Sequence, residues 1–462
     1  MNQQDKFDRL LAKYPHPVAS FSARPHLTRR RFLNIAGTGV TASWLASRLP
    51  ATTVINTTSV QMRNTAQNVI YILLAGAPSH TDTFDLKVVN GTTPATFNPA
   101  TVNGMLFPTG LLPKLAGMTA DFTIVRSMQA WALVHSLAQT WTQIGRNPAG
   151  VLGNVSPNIG SVVAIEKEAE RTPSQVFPTF LALNSNGAAG PGYFPAEYAP
   201  FKVTPSTTGL KNTTNPDGQS RFNARWDFLH HLDDPLRVEA PNGQPMADYD
   251  QFYSAAKGMM YNPTVTAAFQ YSAAESTLYG NSAFGNACIL AKQAIAANQG
   301  TRYIEITLGG WDMHQNIYAA NQLPQLGAQL DNGLSQLLSD LKASGDLAHT
   351  MIVMAGEFGR TTGALTAAKG RDHHPQQFAF FAGGGVKGGK IIGATDATGA
   401  TTVDPGWSRG RIVKPEDIEA TIYSAMGINW TTVRHDDPLG RGFYYVPNSD
   451  QDIYGPIDEL WK

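Results

Sequence analysis

Cysteine is nearly absent: the 462-residue chain has one, Cys288. A lone thiol excludes an intrachain disulfide and any metal site built from several thiolates. Within Asn286-Ala287-Cys288-Ile289-Leu290 it reads as a small buried residue. Charge is scarce as well, at 15% of residues, and balanced, with 35 basic and 35 acidic side chains. No excess of positive charge exists to hold a polyanion, which argues against a nucleic-acid partner. No apolar run has the length and purity of a stable membrane span. Internal repeats and coiled-coil heptads are missing too. What is plentiful is glycine (43), proline (29) and hydrophobic residues (42%). That mixture predicts many ordered loops around a large core. One large α/β domain or two smaller ones would fit the length.

The chain is organised around Leu308-Gly309-Gly310-Trp311-Asp312-Met313-His314-Gln315-Asn316. The preceding residues, 302–307, alternate and are β-rich, so they predict a strand. Two glycines let the backbone turn sharply, and a carboxylate and an imidazole follow. In open α/β sheets, ligands bind beyond the carboxyl ends of the strands. Asp312 and His314 supply the oxygen and nitrogen donors that a Zn-like divalent ion takes. The alternative is an aspartate capping the turn with the histidine packed beside it. Two further polar clusters adjoin apolar runs. Residues 351–356 lead into Glu357-Phe358-Gly359-Arg360-Thr361, and Arg371-Asp372-His373-His374 precedes the run 378–382. Glu357 is either a ligand or half of a buried ion pair with Arg360. Asp372, His373 and His374 are either ligands or a solvated loop.

In chain order, Thr28-Arg29-Arg30-Arg31-Phe32-Leu33-Asn34 precedes a weakly apolar stretch to Ala46. This resembles a twin-arginine export signal. It implies passage through the twin-arginine translocase and a periplasmic or secreted destination, so residues 1–60 are set apart as signal and linker. Residues 68–75 form a near-continuous apolar run, as in a strand covered on both faces. They end in a polar turn carrying Ser79, His80, Asp82 and Asp85. Strands are expected near 69–75, 122–126, 176–183, 302–308 and 350–355, with the first, second and last two side by side. Helices are expected at 137–144, 159–168, 284–298, 320–344 and 415–426, the last with Pro at its start and acids in its first turn. Gly383 to Lys390 reads as a hairpin. Patterning weakens over 184–282, which reads as an irregular and helical cap. Alternating strands and helices predict a doubly wound α/β fold.

The anchors 76–85, 309–314, 357–361, 370–373, 384–389 and 393–396 resemble the domain-of-unknown-function 1501 family, a branch of the alkaline phosphatase/sulfatase superfamily. The resemblance implies an alkaline phosphatase-like fold over 61–462: a mostly parallel central sheet with helices on both faces and a cap at 184–282. It also implies a divalent metal (Zn, Ca, Mg or Mn) held by Asp312, His314, Glu357, His373, His374 and Asp82. Ser136 would be the nucleophile, and His135 a ligand or acid/base group. The substrate implied is a phosphate or sulfate ester, on a small molecule or a polysaccharide. Two departures point to the alternative, an exported binding or assembly protein with a degenerate site. Ala75 stands where the superfamily has a metal-binding Asp, and Phe358 where a His is usual. The Cys and Pro-Ser-Arg of sulfatases are missing before Gly145-Arg146-Asn147-Pro148, which excludes a formylglycine mechanism.

Overall fold

The computed structural model describes residues 60–238 and 244–462. The paired arginines and the apolar stretch after them lie outside the described residues. An eight-stranded sheet organises the rest. Its strands are β1 (Asn68–Leu73), β2 (Phe122–Gln129), β3 (Phe180–Leu183), β4 (Phe201–Val203), β5 (Tyr303–Thr307), β6 (Thr350–Ala355), β7 (Gln376–Ala382) and β8 (Lys390–Ile392). The spatial order is β8-β2-β7-β6-β1-β5-β3-β4. All run parallel except β7, which is antiparallel to both neighbours.

Alternation along the strands builds two cores. Ile70, Ile72, Ile304, Ile306, Ile352 and Met354 face helices α5 (Ala283–Ala297) and α6 (Leu323–Ser344). Val69, Tyr71, Leu73, Met351 and Val353 face α2 (Ile159–Lys167) and α7 (Pro415–Ala425). With both faces covered, strand residues are apolar on each parity, which explains the unbroken run at 68–75. Residues Gln61–Lys462 make one compact unit. Among the described residues no helix is long and apolar enough to cross a membrane.

Three expectations need correction. The strands at 350–355 and 122–129 are not neighbours, because β7 lies between them. No helix spans residues 356–375. A parallel return needs a crossover, usually helical, so the chain comes back antiparallel. The glycine-rich segment 383–390 is not a hairpin: β8 pairs parallel with β2 rather than with β7. Inside the expected cap, β4 is the edge strand of the sheet. The remainder of that segment includes the helices α3 (Gln219–Val238) and α4 (Gln244–Met259).

One consequence of the topology fixes the site. The loops after β1, β5 and β6, the start of β7 and the helix α1 (His135–Ile144) after β2 all meet at the C-terminal edge of the sheet.

Candidate metal centre

Two turns set the frame. Gly76 has φ +105°, and a Cβ there would stand 2.6 Å from the Asp312 nitrogen, so only glycine fits. Ala77 follows at φ +65°, a conformation a side chain rarely adopts. This strained pair aims both carbonyls at Arg360, whose Nε donates to the Ala77 oxygen at 2.9 Å and whose Nη2 donates to the Gly76 oxygen. The guanidinium is fully buried, and Nη2 also donates to Asp312 Oδ1 at 2.6 Å. Arg360 therefore ties the β1 turn to the loop after β5.

A second set of backbone bonds joins the loop after β5 to the approach to β7. The amides of Asn316 and Ile317 donate to the carbonyls of Ala368 and Lys369, and that of Arg371 donates to the Met313 carbonyl. Gly370 lies so close that a Cβ would sit 2.0 Å from the His314 oxygen. Residues far apart in sequence, His314 and His373, are brought face to face this way, with Nε2 atoms 3.1 Å apart.

The three imidazoles of the cluster share one arrangement. His135 Nδ1 lies 2.7 Å from Glu357 Oε1, His314 Nδ1 lies 2.9 Å from Asp372 Oδ1, and His373 Nδ1 lies 2.7 Å from the Leu133 carbonyl. Each of those oxygens only accepts, so each Nδ1 donates, and in the neutral imidazole Nε2 is then the atom with the lone pair. The Nε2 atoms of His135 and His314 face Asp312, and that of His373 faces His314. Asp312 Oδ1 is 3.3 Å from His135 and 3.0 Å from His314. His135 Nε2 is buried and has no hydrogen-bond partner, and the facing lone pairs of His314 and His373 repel unless a cation lies nearby. Arg360 Nη1 donates to His314 Nε2 at 3.1 Å and supplies some of that positive charge. Burial first, helped by the nearby Arg360, His135 and His314, holds the His373 imidazole below its ordinary pKa, against the opposing Leu133 carbonyl. Neutral imidazole is the form that ligates. Burial alone would raise the Asp312 carboxyl; the hydrogen bond and charge of Arg360, with His135 and His314, outweigh it and hold the carboxyl below its usual value.

The donor set fits a divalent ion. One atom from each of His135, Asp312, His314 and His373 lies within 4.8 Å of every other. Donors about 2.1 Å from a tetrahedral ion stand about 3.4 Å apart, close to the separations of 3.0, 3.1 and 3.3 Å here. Nδ1 atoms anchored to carboxylate or carbonyl oxygens are the usual support for metal-binding histidines.

Not every sequence-predicted residue joins this set. Glu357 stands outside the four-residue cluster: it is buried behind His135, and its Oε1 also accepts from Gly76 N at 2.9 Å and Gln139 Nε2 at 3.0 Å. Nor does it pair with Arg360, whose carboxylate partner is Asp312. Asp82 is fully buried, with Arg371 Nε at 2.7 Å, Ser79 Oγ at 2.6 Å and Tyr318 OH at 2.8 Å, so its oxygens are taken. His374 turns away to stack on His80, with ring centroids 6.1 Å apart. Ser136 is exposed in the first turn of α1, directly after His135. Sequence reasoning missed the supporting roles of Asp372, Gln139 and the Leu133 carbonyl. Adjacency to His373 was a signal for Asp372, whereas a backbone carbonyl leaves none. Phe358 is fully buried, its ring centroid 4.7 Å from that of His135 and 4.6 Å from that of His373.

A family model described as "Protein of unknown function (DUF1501)" matches residues 66–445. No curated protein matches the sequence. Solved structures similar to the chain include a sulfatase from Pseudoalteromonas sp., 13% identical, covering 79% of this chain and 68% of that one at a TM-score of 0.39. They also include a lipoteichoic acid synthase from Listeria monocytogenes, 12% identical, with coverages of 79% and 72% and a TM-score of 0.34. A protein in the alkaline phosphatase superfamily from Vibrio parahaemolyticus is 12% identical, with coverages of 79% and 67% and a TM-score of 0.35.

Proposed function

The chain belongs to the DUF1501 family of proteins of unknown function, so its chemistry has to be read from its own site, and we propose a hydrolase of phosphate or sulfate esters that uses one divalent ion. One observation carries the reading: three imidazoles with oxygen-anchored Nδ1 atoms turn their Nε2 lone pairs on the same space as Asp312 Oδ1. His135, His314, His373 and Asp312 would hold the ion. When bound, such an ion polarises an ester oxygen and lowers the pKa of a bound water.

The remaining work falls to the chain. Glu357 and Asp372 orient their histidines and keep the ring nitrogens facing the ion available. Arg360, fully buried, holds Asp312 in place. We assign the role of nucleophile to Ser136, a reading supported by its hydroxyl at a helix start without a side-chain cap. The unpaired amides there favour developing negative charge. The Phe358 ring beside His135 and His373 closes that flank with carbon, so the site suits one ion rather than two. The arginine pattern at 28–34 supports action outside the cytoplasm.

The test is hydrolysis of 4-nitrophenyl phosphate, 4-nitrophenyl sulfate and bis(4-nitrophenyl) phosphate, before chelation, after it, and after zinc is restored. Turnover of at least one ester should vanish and return, and Ser136→Ala should abolish it. A protein that binds one zinc per chain and turns over none of the three contradicts the reading. It would favour a second one, a non-catalytic metal-binding protein, because four protein ligands complete a tetrahedron as structural zinc sites do.

A further inference from the structure

The loop that leads into the cluster, residues 130–134, is apolar. Three large hydrophobic side chains lie exposed in the short loop before His135: Trp131 at 47%, Leu133 at 39% and Val134 at 60%. The loop is pinned at the cluster. The Leu133 carbonyl accepts from His373 Nδ1, Ala130 N donates to the Pro375 carbonyl, and Val134 is the first residue before the helix that carries His135. Trp131 is held at the outer end, its indole N–H donating to Glu416 Oε2 and its ring lying 3.9 Å below the Lys414 ammonium. The backbone of this loop is therefore fixed beside His135 and His373, with the Trp131 side chain held by Glu416 and Lys414. Ordered apolar exposure at a site mouth marks contact with an apolar group.

The charges around the cluster agree. Arg360 and Arg371 are buried and already bonded, the first to Asp312 and backbone carbonyls and the second to Asp82. The charged side chains of the cluster that reach solvent are carboxylates, Asp372 at 63% and Asp312 at 49% exposure. A highly charged substrate meets repulsion there, whereas a single anionic group bound at the ion does not.

We infer that the ester taken by this site carries one anionic group at the metal and an alkyl or aryl group that packs on Leu133 and Val134, with Trp131 reached by longer chains. The inference rests on the reading of the cluster as a metal site for esters, and it names the substrate class.

The test is calorimetric binding of methyl-, butyl- and octylphosphonate to the zinc-loaded protein and to its metal-free form. Kd should fall along the series, by about fourfold for each methylene buried. Leu133→Ala with Val134→Ala should flatten the gain from methyl to butyl, and Trp131→Ala the gain from butyl to octyl. One zinc per chain in each variant shows that the cluster is intact. Equal affinity for all three ligands overturns the apolar contact and leaves the metal-site reading standing. No binding of any phosphonate to zinc-loaded protein overturns the ester-site reading itself. A chain-length gain that persists without metal also overturns the inference, because the rim would then act apart from the cluster. So would adsorption to phosphatidylcholine vesicles in place of any chain-length dependence.

Discussion

Asp82 and Asp312 leave adjacent strands, β1 and β5, at the same edge of the sheet, yet they are in opposite states. Asp82 is sealed from solvent, and its two oxygens accept from Ser79, Tyr318 and, twice, from Arg371. Asp312 is half exposed, and its Oδ1 shares one arginine while facing two imidazole nitrogens that offer lone pairs. The first cluster is complete as it stands and holds the loops together. The second sets more acceptors together than its one arginine serves. Residue type does not separate the two; the tally of donors and acceptors does.

The sharpest way to break this contrast is to open the closed cluster. Arg371→Met leaves Asp82 as a buried, unpaired charge, which should cost about 3–5 kcal/mol of stability. Denaturant unfolding reads the change, and a loss below about 1 kcal/mol would mean that Asp82 is not the structural member of the two.

A smaller effect tests whether Glu357 supports a ligand. Glu357→Gln removes the anion behind His135 Nδ1 and should weaken zinc binding about 10- to 100-fold. Competition with a chelating dye measures it. Unchanged affinity would show that His135 needs no such partner, and complete loss with unfolding would make Glu357 a core residue instead.

A further test concerns a carboxyl away from both clusters, buried and not fully bonded. Burial pushes Glu419 up to about 8, against the pull of the Arg146 charge and the Tyr423 hydroxyl, and its Oε2 has no partner. The folded value lies above the unfolded one, so its contribution is present in full below the unfolded pKa and is lost as pH rises through about 8. Relative to Glu419→Gln, the native protein should lose unfolding temperature between pH 5 and pH 8. Parallel curves over that interval would refute the shift.

Much of this was legible in the chain before its structure. The alternating strand at 302–307, the glycine turn and the pair Asp312 and His314 follow from local rules. That Asp312 and His314 should sit at the ligand-binding edge follows from parallel topology, whereas His373 joins them because β7 runs antiparallel, which puts its start at that edge. Glu357 was not legible, because a carboxylate at that position can serve a metal or an imidazole N–H, and only three-dimensional placement decides. Asp82 failed for the same reason: its partner Arg371 lies 289 residues away. The insertion of β7 was hidden because the segment before it carries loop chemistry where a crossover helix would otherwise announce a parallel strand.

The central claim is that the open cluster holds one divalent ion. Elemental analysis of protein purified without chelator, and again after zinc is added and excess removed, tests it directly. The expected result is one ion per chain in the native protein, less than a tenth of that in Asp312→Ala and His314→Ala, and unfolding of metal-free His314→Ala within about 1 kcal/mol of the metal-free native chain, as befits a partly exposed residue. A native chain that carries no ion and takes up none, or an Asp312→Ala variant that keeps the full complement, would contradict the account.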